Sequence, residues 1–282
     1  MKLNLFKLFG VDVKLHWSWF LLLLLYIDFG DTATEMMYSV LTLVTVFGYV
    51  LVHEFGHILA AKRYGVSTDY VVLNIFGGVA MVDQTMQDLT PKQQMWVVFA
   101  GPLTNLIMIF MLLPLGVMFA NGNTSVENIT GIEALVYIGL AANFLMFVFN
   151  LLPIYPMDGG RLLRSILEHM NVKGAQYYSI RVTQVFAVLL IIFSFWIGSF
   201  LMPIVAVLFF ILSFRELTTL KQEIYGHEYD KIAHSLEDGH ITYYEAQEKT
   251  HQLNLDYKGN DIFFKTDYVQ KRVSYGSTED SE

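Results

Sequence analysis

The chain has 282 residues, is 54% hydrophobic and 16% charged, and carries a net charge of −8 without a single cysteine. Soluble domains carry about 25% charged residues, so an ordinary water-soluble enzyme is excluded. An acidic chain cannot displace counterions from nucleic acid, and without thiols there are no disulfides or thiolate metal sites.

Charge is sparse from Leu15 to Phe214 and frequent beyond it, and residues 221–282 hold 7 Lys/Arg against 13 Asp/Glu. This predicts a membrane domain, residues 1–220, followed by a polar, acidic and partly disordered tail, residues 221–282. The opening MKLNLFKLFGVDVK lacks a small-residue cleavage site after its first apolar run, so the first span is expected to be retained. A crossing helix needs about 20 mostly apolar residues. Leu15–Ile27 supplies the first candidate, continued past Asp28 and Gly30, with Trp17 and Trp19 as interfacial anchors. Met36–Ala61 is the second. Tyr70–Asp83, rich in β-branched residues around Gly77 and Gly78, predicts a hairpin too short to span. Such backbone is tolerated at membrane depth only when buried in protein or lining a wet cavity. An apolar loop packed on the bundle is the other reading.

Met95–Ala120 and Ala134–Met157 carry no charge and form spans three and four. Val182–Phe214 is also uncharged, and as one helix it would be about 50 Å long. Gly198 and Pro203 near its middle predict two helices joined by a turn. The fold class is therefore an all-α polytopic membrane protein of six transmembrane helices, with a short membrane-associated β-hairpin and a small cytoplasmic C-terminal tail. In the tail, Glu223–Leu253 reads as helical and Ile262–Val273 as extended. Lys and Arg fall in alternate loops: Lys62, Arg63 and Lys92 between spans two and three, for instance, and none in 28–35, 121–133 or 198–203. That bias places both termini in the cytoplasm.

The second span contains His53-Glu54-Phe55-Gly56-His57. Residues four apart share a helix face, so both imidazoles can reach one metal ion while Glu54 reaches a water beside it. This is the pattern of zinc hydrolases, with the glutamate as general base. Two surface histidines on a helix would look the same in a soluble protein. Ionisable groups inside a span cost roughly 2.5–3.5 kcal/mol on insertion scales, which favours a role. A catalytic zinc takes three protein ligands. His16 lies at the start of span one and His169 in a charged loop, whereas Asp158, in NLLPIYPMDGGRLL, closes span four at the depth of the motif. Asp158 also fits as the N-cap of the helix after it.

These residues resemble the site-2 protease family of zinc intramembrane proteases, in the compact bacterial branch of the sporulation sigma-factor-processing protease. The resemblance covers residues 1–220 and rests on the His53–His57 motif, Phe76-Gly77-Gly78, Ala100-Gly101-Pro102 with Asn105, and Asn150 through Pro153 and Pro156 to Asp158-Gly159-Gly160. It implies His53, His57 and Asp158 as ligands of one zinc per chain, with Glu54 as base. Asn150 and Pro156 are implied to touch the substrate, and the Gly77–Gly78 hairpin to pair with it through main-chain hydrogen bonds. An interhelical hydrogen bond is the other role open to Asn150. The implied activity is hydrolysis of a peptide bond in or near a transmembrane segment of a membrane-anchored protein, in a prokaryotic cell membrane. No loop is long enough for a PDZ insert and the tail is too short for a CBS pair, so control by an inhibitory or regulatory membrane partner is a reading equal to nucleotide control. Two other readings stay open: a metal transporter using His53, His57 and Asp158 as a transit site, and an inactive relative that binds clients.

Overall fold

The computed structural model describes residues 2–26, 32–74, 77–82, 88–121, 131–198 and 201–258. It divides into two compact units, Met1–Phe186 and Ala187–Glu282.

The first unit opens with two strands, β1 (Lys2–Leu8) and β2 (Val11–His16). In β2, Val11, Val13 and Leu15 are buried and alternate with half-buried Asp12, Lys14 and His16, the period-2 pattern of a half-covered strand. A short helix α1 (Trp19–Tyr26) leads towards α2 (Ala33–Arg63), which starts at a capping box between Thr32 and Glu35. β3 (Thr68–Asn74) and β4 (Gly77–Val82) follow. The four strands form one sheet in the order β1-β2-β3-β4, antiparallel at both outer pairs and parallel between β2 and β3. Its apolar face packs Val11, Val13, Leu15, Val71 and Leu73 onto Phe55 and Ile58 of α2. The sheet is thus bolted to the helix segment that carries the metal-binding motif.

Two expectations change here. The hairpin read over 70–83 is half of a sheet, of which residues 2–16 are the other half. Leu15 and His16, placed in span one, belong to β2, because a window of mean hydropathy merges an alternating strand with the apolar run after it. Five described helices are long and apolar enough to cross a membrane: Glu35–Arg63, Pro91–Ala120, Ile132–Leu151, Ala175–Trp196 and Met202–Gln222. The described part of α1 has 8 residues, short of a crossing. Part of its expected continuation, residues 27–31, lies outside the described residues.

α3 (Pro91–Asn121) contains Pro102 and Pro114 and packs on α2 and on α4 (Ile132–Leu151). The fourth span ends at Leu151, not Met157: Leu152 is already extended, and Pro153 and Pro156 carry no N–H to continue the ladder. The Tyr155–Pro156 peptide is cis. α5 (Asp158–His169) and α6 (Ala175–Trp196) follow. The break between α6 and α7 (Leu201–Glu237) falls near Gly198, at φ 67°, as expected. Pro203 sits in the first turn of α7 and not in the break, a position where its missing N–H costs nothing.

In the second unit α7 continues past residue 220 to Glu237 and packs on α8 (Tyr243–Lys258). The helix expected over 223–253 is therefore two helices, because Gly239, at φ 71°, ends the first and a Thr242–Glu245 capping box starts the second. Ile262–Val273 lies outside the described residues.

Candidate metal centre

His53 and His57 lie one turn apart on α2, and their Nε2 atoms are 3.2 Å from each other. Each is 3.1 Å from Oδ2 of Asp158. The three side chains form a group able to hold a metal ion. Two imidazoles and one carboxylate match the donor set of zinc hydrolase sites, and tetrahedral zinc with ligands at about 2.0–2.2 Å sets its donor atoms about 3.3–3.6 Å apart. The observed 3.1–3.2 Å is slightly tighter, so a small outward shift of the three side chains would seat the ion.

The imidazoles are held from behind. His57 Nδ1 lies 2.8 Å from the carbonyl of Val97, and His53 Nδ1 lies 2.6 Å from Oδ1 of Asn105. A carbonyl only accepts, so His57 carries its proton on Nδ1 and turns the Nε2 lone pair inward. For His53 the same conclusion follows through a relay. Nδ2 of Asn143 donates to the Gly139 carbonyl at 2.8 Å, so Oδ1 of Asn143 is left to accept from Nδ2 of Asn105 at 2.9 Å. Oδ1 of Asn105 then faces His53 and accepts its Nδ1–H. Asn105 and Asn143 are 1% and 0% exposed, so water cannot substitute in this chain. Outer partners of this kind set ligand orientation. Asn105→Ala is therefore expected to weaken metal retention by about 10–100-fold, measured by competition with a chelator, and Asn143→Leu to act in the same direction through Asn105.

Glycine makes room for the site. A Cβ on Gly101 would fall on the ring atoms of His57 and within 2.8 Å of His53 Cε1, and one on Gly56 would lie 2.7 Å from the Ala100 carbonyl. These two positions let α2 and α3 approach closely enough for backbone to support imidazole. Asp158 is the first residue of α5, where Met157 is the N-cap and no side chain caps the helix. Its carboxylate points at the histidines, so the capping reading does not hold. Gly159 and Gly160 press against the backbone of Leu152 and Ile154–Tyr155, where any side chain would collide. Ser179 donates to the Gly160 carbonyl at 2.7 Å, and Thr183 accepts the Tyr155 N–H at 2.8 Å, so α6 clamps the loop that presents Asp158.

Glu54 is half-buried, and β4 runs directly over it: a Cβ on Gly78 would strike Glu54 Cγ and lie 3.0 Å from Oε1. Gly77, at φ +120°, adopts backbone that only glycine takes readily. Gly78 thus stands beside the glutamate, whereas a Cβ on Gly77 would meet only Val50 Cγ1, at 4.0 Å. Asn150, half-buried on the last turn of α4, and Pro156, exposed in the following loop, are not members of the His53–His57–Asp158 group. Sequence reasoning quoted Asn105 without a role and missed Asn143 and Gly139. Their signal was present: two asparagines inside uncharged spans, with glycine one turn earlier in both (Gly101 and Gly139).

The family model described as Peptidase family M50 matches residues 41–129 and 117–193. Zinc metalloprotease MJ0392 of Methanocaldococcus jannaschii is 35% identical over 167 residues, 59% of this chain and 45% of that protein. Stage IV sporulation protein FB of Bacillus subtilis is 32% identical over 114 residues, 40% of this chain and 36% of that protein. The matched stretch is therefore under half the length of either relative. Among solved structures, the site-2 protease from Methanocaldococcus jannaschii superposes with a TM-score of 0.54 at 26% identity, covering 77% of this chain and 95% of that one.

Proposed function

As the chain belongs to peptidase family M50, we propose that it is a zinc-dependent intramembrane endopeptidase, cutting a membrane-anchored protein in or near its transmembrane segment. The observation that carries this reading is the convergence of His53, His57 and Asp158, donor atoms 3.1–3.2 Å apart, next to Glu54 and under β4. His53, His57 and Asp158 hold one zinc ion. When bound, zinc supplies Lewis acidity, polarising the scissile carbonyl and making a water acidic. Glu54 takes the proton from the attacking water as its oxygen bonds to the carbonyl carbon. The carbon–nitrogen bond then breaks and Glu54 delivers that proton to the departing amine.

A transmembrane helix hides its carbonyls in its own hydrogen bonds, so the substrate must unwind before it is cut. β4 is an edge of the sheet, and an edge binds an extended chain through main-chain hydrogen bonds with little demand on sequence. Gly78 leaves that strand without a side chain where it passes Glu54, and Gly77 leaves it without one at the residue before. Asn150, at the end of α4, and Pro156, in the loop after it, contact the substrate. The five apolar helices, joined by a first span built on α1, give six crossings in residues 1–220, with both termini and the tail 221–282 in the cytoplasm of a prokaryotic cell. A regulatory membrane protein controls access.

The test is bound metal in the purified, detergent-solubilised protein. One zinc per chain is expected in the parent, with loss in both His53→Ala and Asp158→Ala. Zinc that survives Asp158→Ala would remove Asp158 from the ligand set, and a parent that binds no zinc would end the hydrolase reading.

A further inference from the structure

The sheet is wider than the helix beneath it. Register places Leu3 opposite Leu15, Phe6 opposite Val13 and Leu8 opposite Val11, so these three β1 residues continue the apolar face that β2 and β3 bury on α2. Val13 is 0% exposed, yet Leu3, Phe6 and Leu8 are 41%, 51% and 37% exposed. Among the described residues this part of the face is only partly covered by protein. The opposite face of the same hairpin pairs Lys2 with His16, Asn4 with Lys14 and Lys7 with Asp12, three lysines against one aspartate. Lys2 and Lys14 both stand over the Tyr70 ring, at 4.8 and 4.1 Å, and Lys7 is 3.9 Å from Asp12. Soluble proteins break up an exposed apolar edge strand with charge or cover it.

We propose that the β1–β2 hairpin is an interfacial lipid anchor, its Leu3–Phe6–Leu8 stripe in the outer acyl layer and Lys2, Lys7 and Lys14 level with anionic headgroups. An amphipathic element of this kind settles about 5–10 Å into the interface, and lysines there gain from a negatively charged leaflet. Continuity supports lipid as the occupant. The covered part of the same face rests on α2, itself apolar enough to cross a membrane. The chain passes from β2 through exposed Trp17, an interface residue by type, into apolar α1. The hairpin cannot swing away freely, since the Phe9 carbonyl accepts from Lys62 Nζ at 3.4 Å and the Phe9 ring meets Phe55 edge-on at 5.9 Å. Lipid seating of β1 therefore fixes the depth of the whole sheet, including the β4 segment over Glu54. This anchor needs only that α2 crosses the membrane, and it stands apart from the proteolytic reading.

The chain has no cysteine, so single Phe6→Cys, Leu3→Cys and Lys7→Cys variants of the full chain can carry a polarity-sensitive dye. They would be placed in nanodiscs holding one copy each. Dyes at positions 3 and 6 are expected to emit at shorter wavelength, to be quenched by lipids with a headgroup-proximal nitroxide, and to resist aqueous iodide several-fold better than the dye at 7. Raising the anionic lipid fraction should strengthen the nitroxide quenching, and a combined Lys2→Gln, Lys7→Gln and Lys14→Gln variant should lose that dependence. Equal iodide access at all three positions would overturn the anchor, and indifference to lipid charge would overturn the headgroup contact. Shielding seen only with two copies per disc would instead assign the stripe to strand pairing between chains.

Discussion

Glu54→Gln is expected to keep its full complement of zinc while losing peptide hydrolysis by about 10²–10⁴-fold, the usual contribution of a positioned acid–base group. The amide is isosteric with the carboxylate, so Glu54 Cγ can keep its place under Gly78 and none of the three donor atoms in the metal group is altered. What disappears is a group able to take a proton from water and return it to an amine. The measurement is single-turnover cleavage of a membrane-anchored substrate in proteoliposomes, with zinc determined in the same preparation. A variant that cleaves at the parent rate would remove Glu54 from the chemistry. A variant that loses zinc as well would show Glu54 to be part of the binding group. A transporter would keep its flux in this variant unless Glu54 itself carried the ion, so the same protein separates the two classes of function.

Gly101→Ala should abolish zinc binding without touching a ligand. The added methyl would sit on His57 Nε2, the atom that faces Asp158, and within 2.8 Å of His53 Cε1. Neither imidazole can retreat easily. His57 is held by the Val97 carbonyl and His53 by buried Asn105. Relaxation must therefore separate α2 from α3 or turn the rings away, and either change breaks the convergence of donors. Overpacking of this kind costs typically 1–3 kcal/mol, and alanine recovers up to about 1 kcal/mol over glycine within a helix. The fold should survive that cost, since domains are stable by about 5–15 kcal/mol. Expected readouts are a retained detergent-solution unfolding transition, absent zinc and absent cleavage. Gly116→Ala on the same helix is the control. Its methyl would lie 2.7 Å from Leu140 Cδ1, the far end of a flexible side chain, and zinc should be retained.

The His53–His57 pair was legible because helix periodicity alone puts residues four apart on one face, and a glutamate between them inside an apolar run has little other reason to be there. Asp158 was legible only as a candidate. Depth in the membrane favoured it, but a carboxylate one residue inside a helix start competes as a cap, and spacing cannot decide which way the side chain turns. The N-terminal strands were misread for a different reason. The alternation in Val11–Leu15 spans five residues, and a hydropathy average over a crossing length absorbs it into the leucines that follow.

Composition and local pattern thus determined that this chain is a multi-helix membrane protein, where its long helices run, and which helix carries the motif. Each of those depends on contacts near in sequence or on transfer of side chains from water to lipid, and both are properties of short windows. Tertiary structure decided the rest. It joined residues 2–16 to residues 68–82 in one sheet, turned Asp158 to His53 and His57, and ran the Asn143–Asn105 relay that sets the His53 tautomer. These arrangements join residues 38 to more than 100 positions apart. Their geometry is set by how closely α2, α3 and α4 approach, and that closeness depends on glycines whose effect exists only once the helices meet.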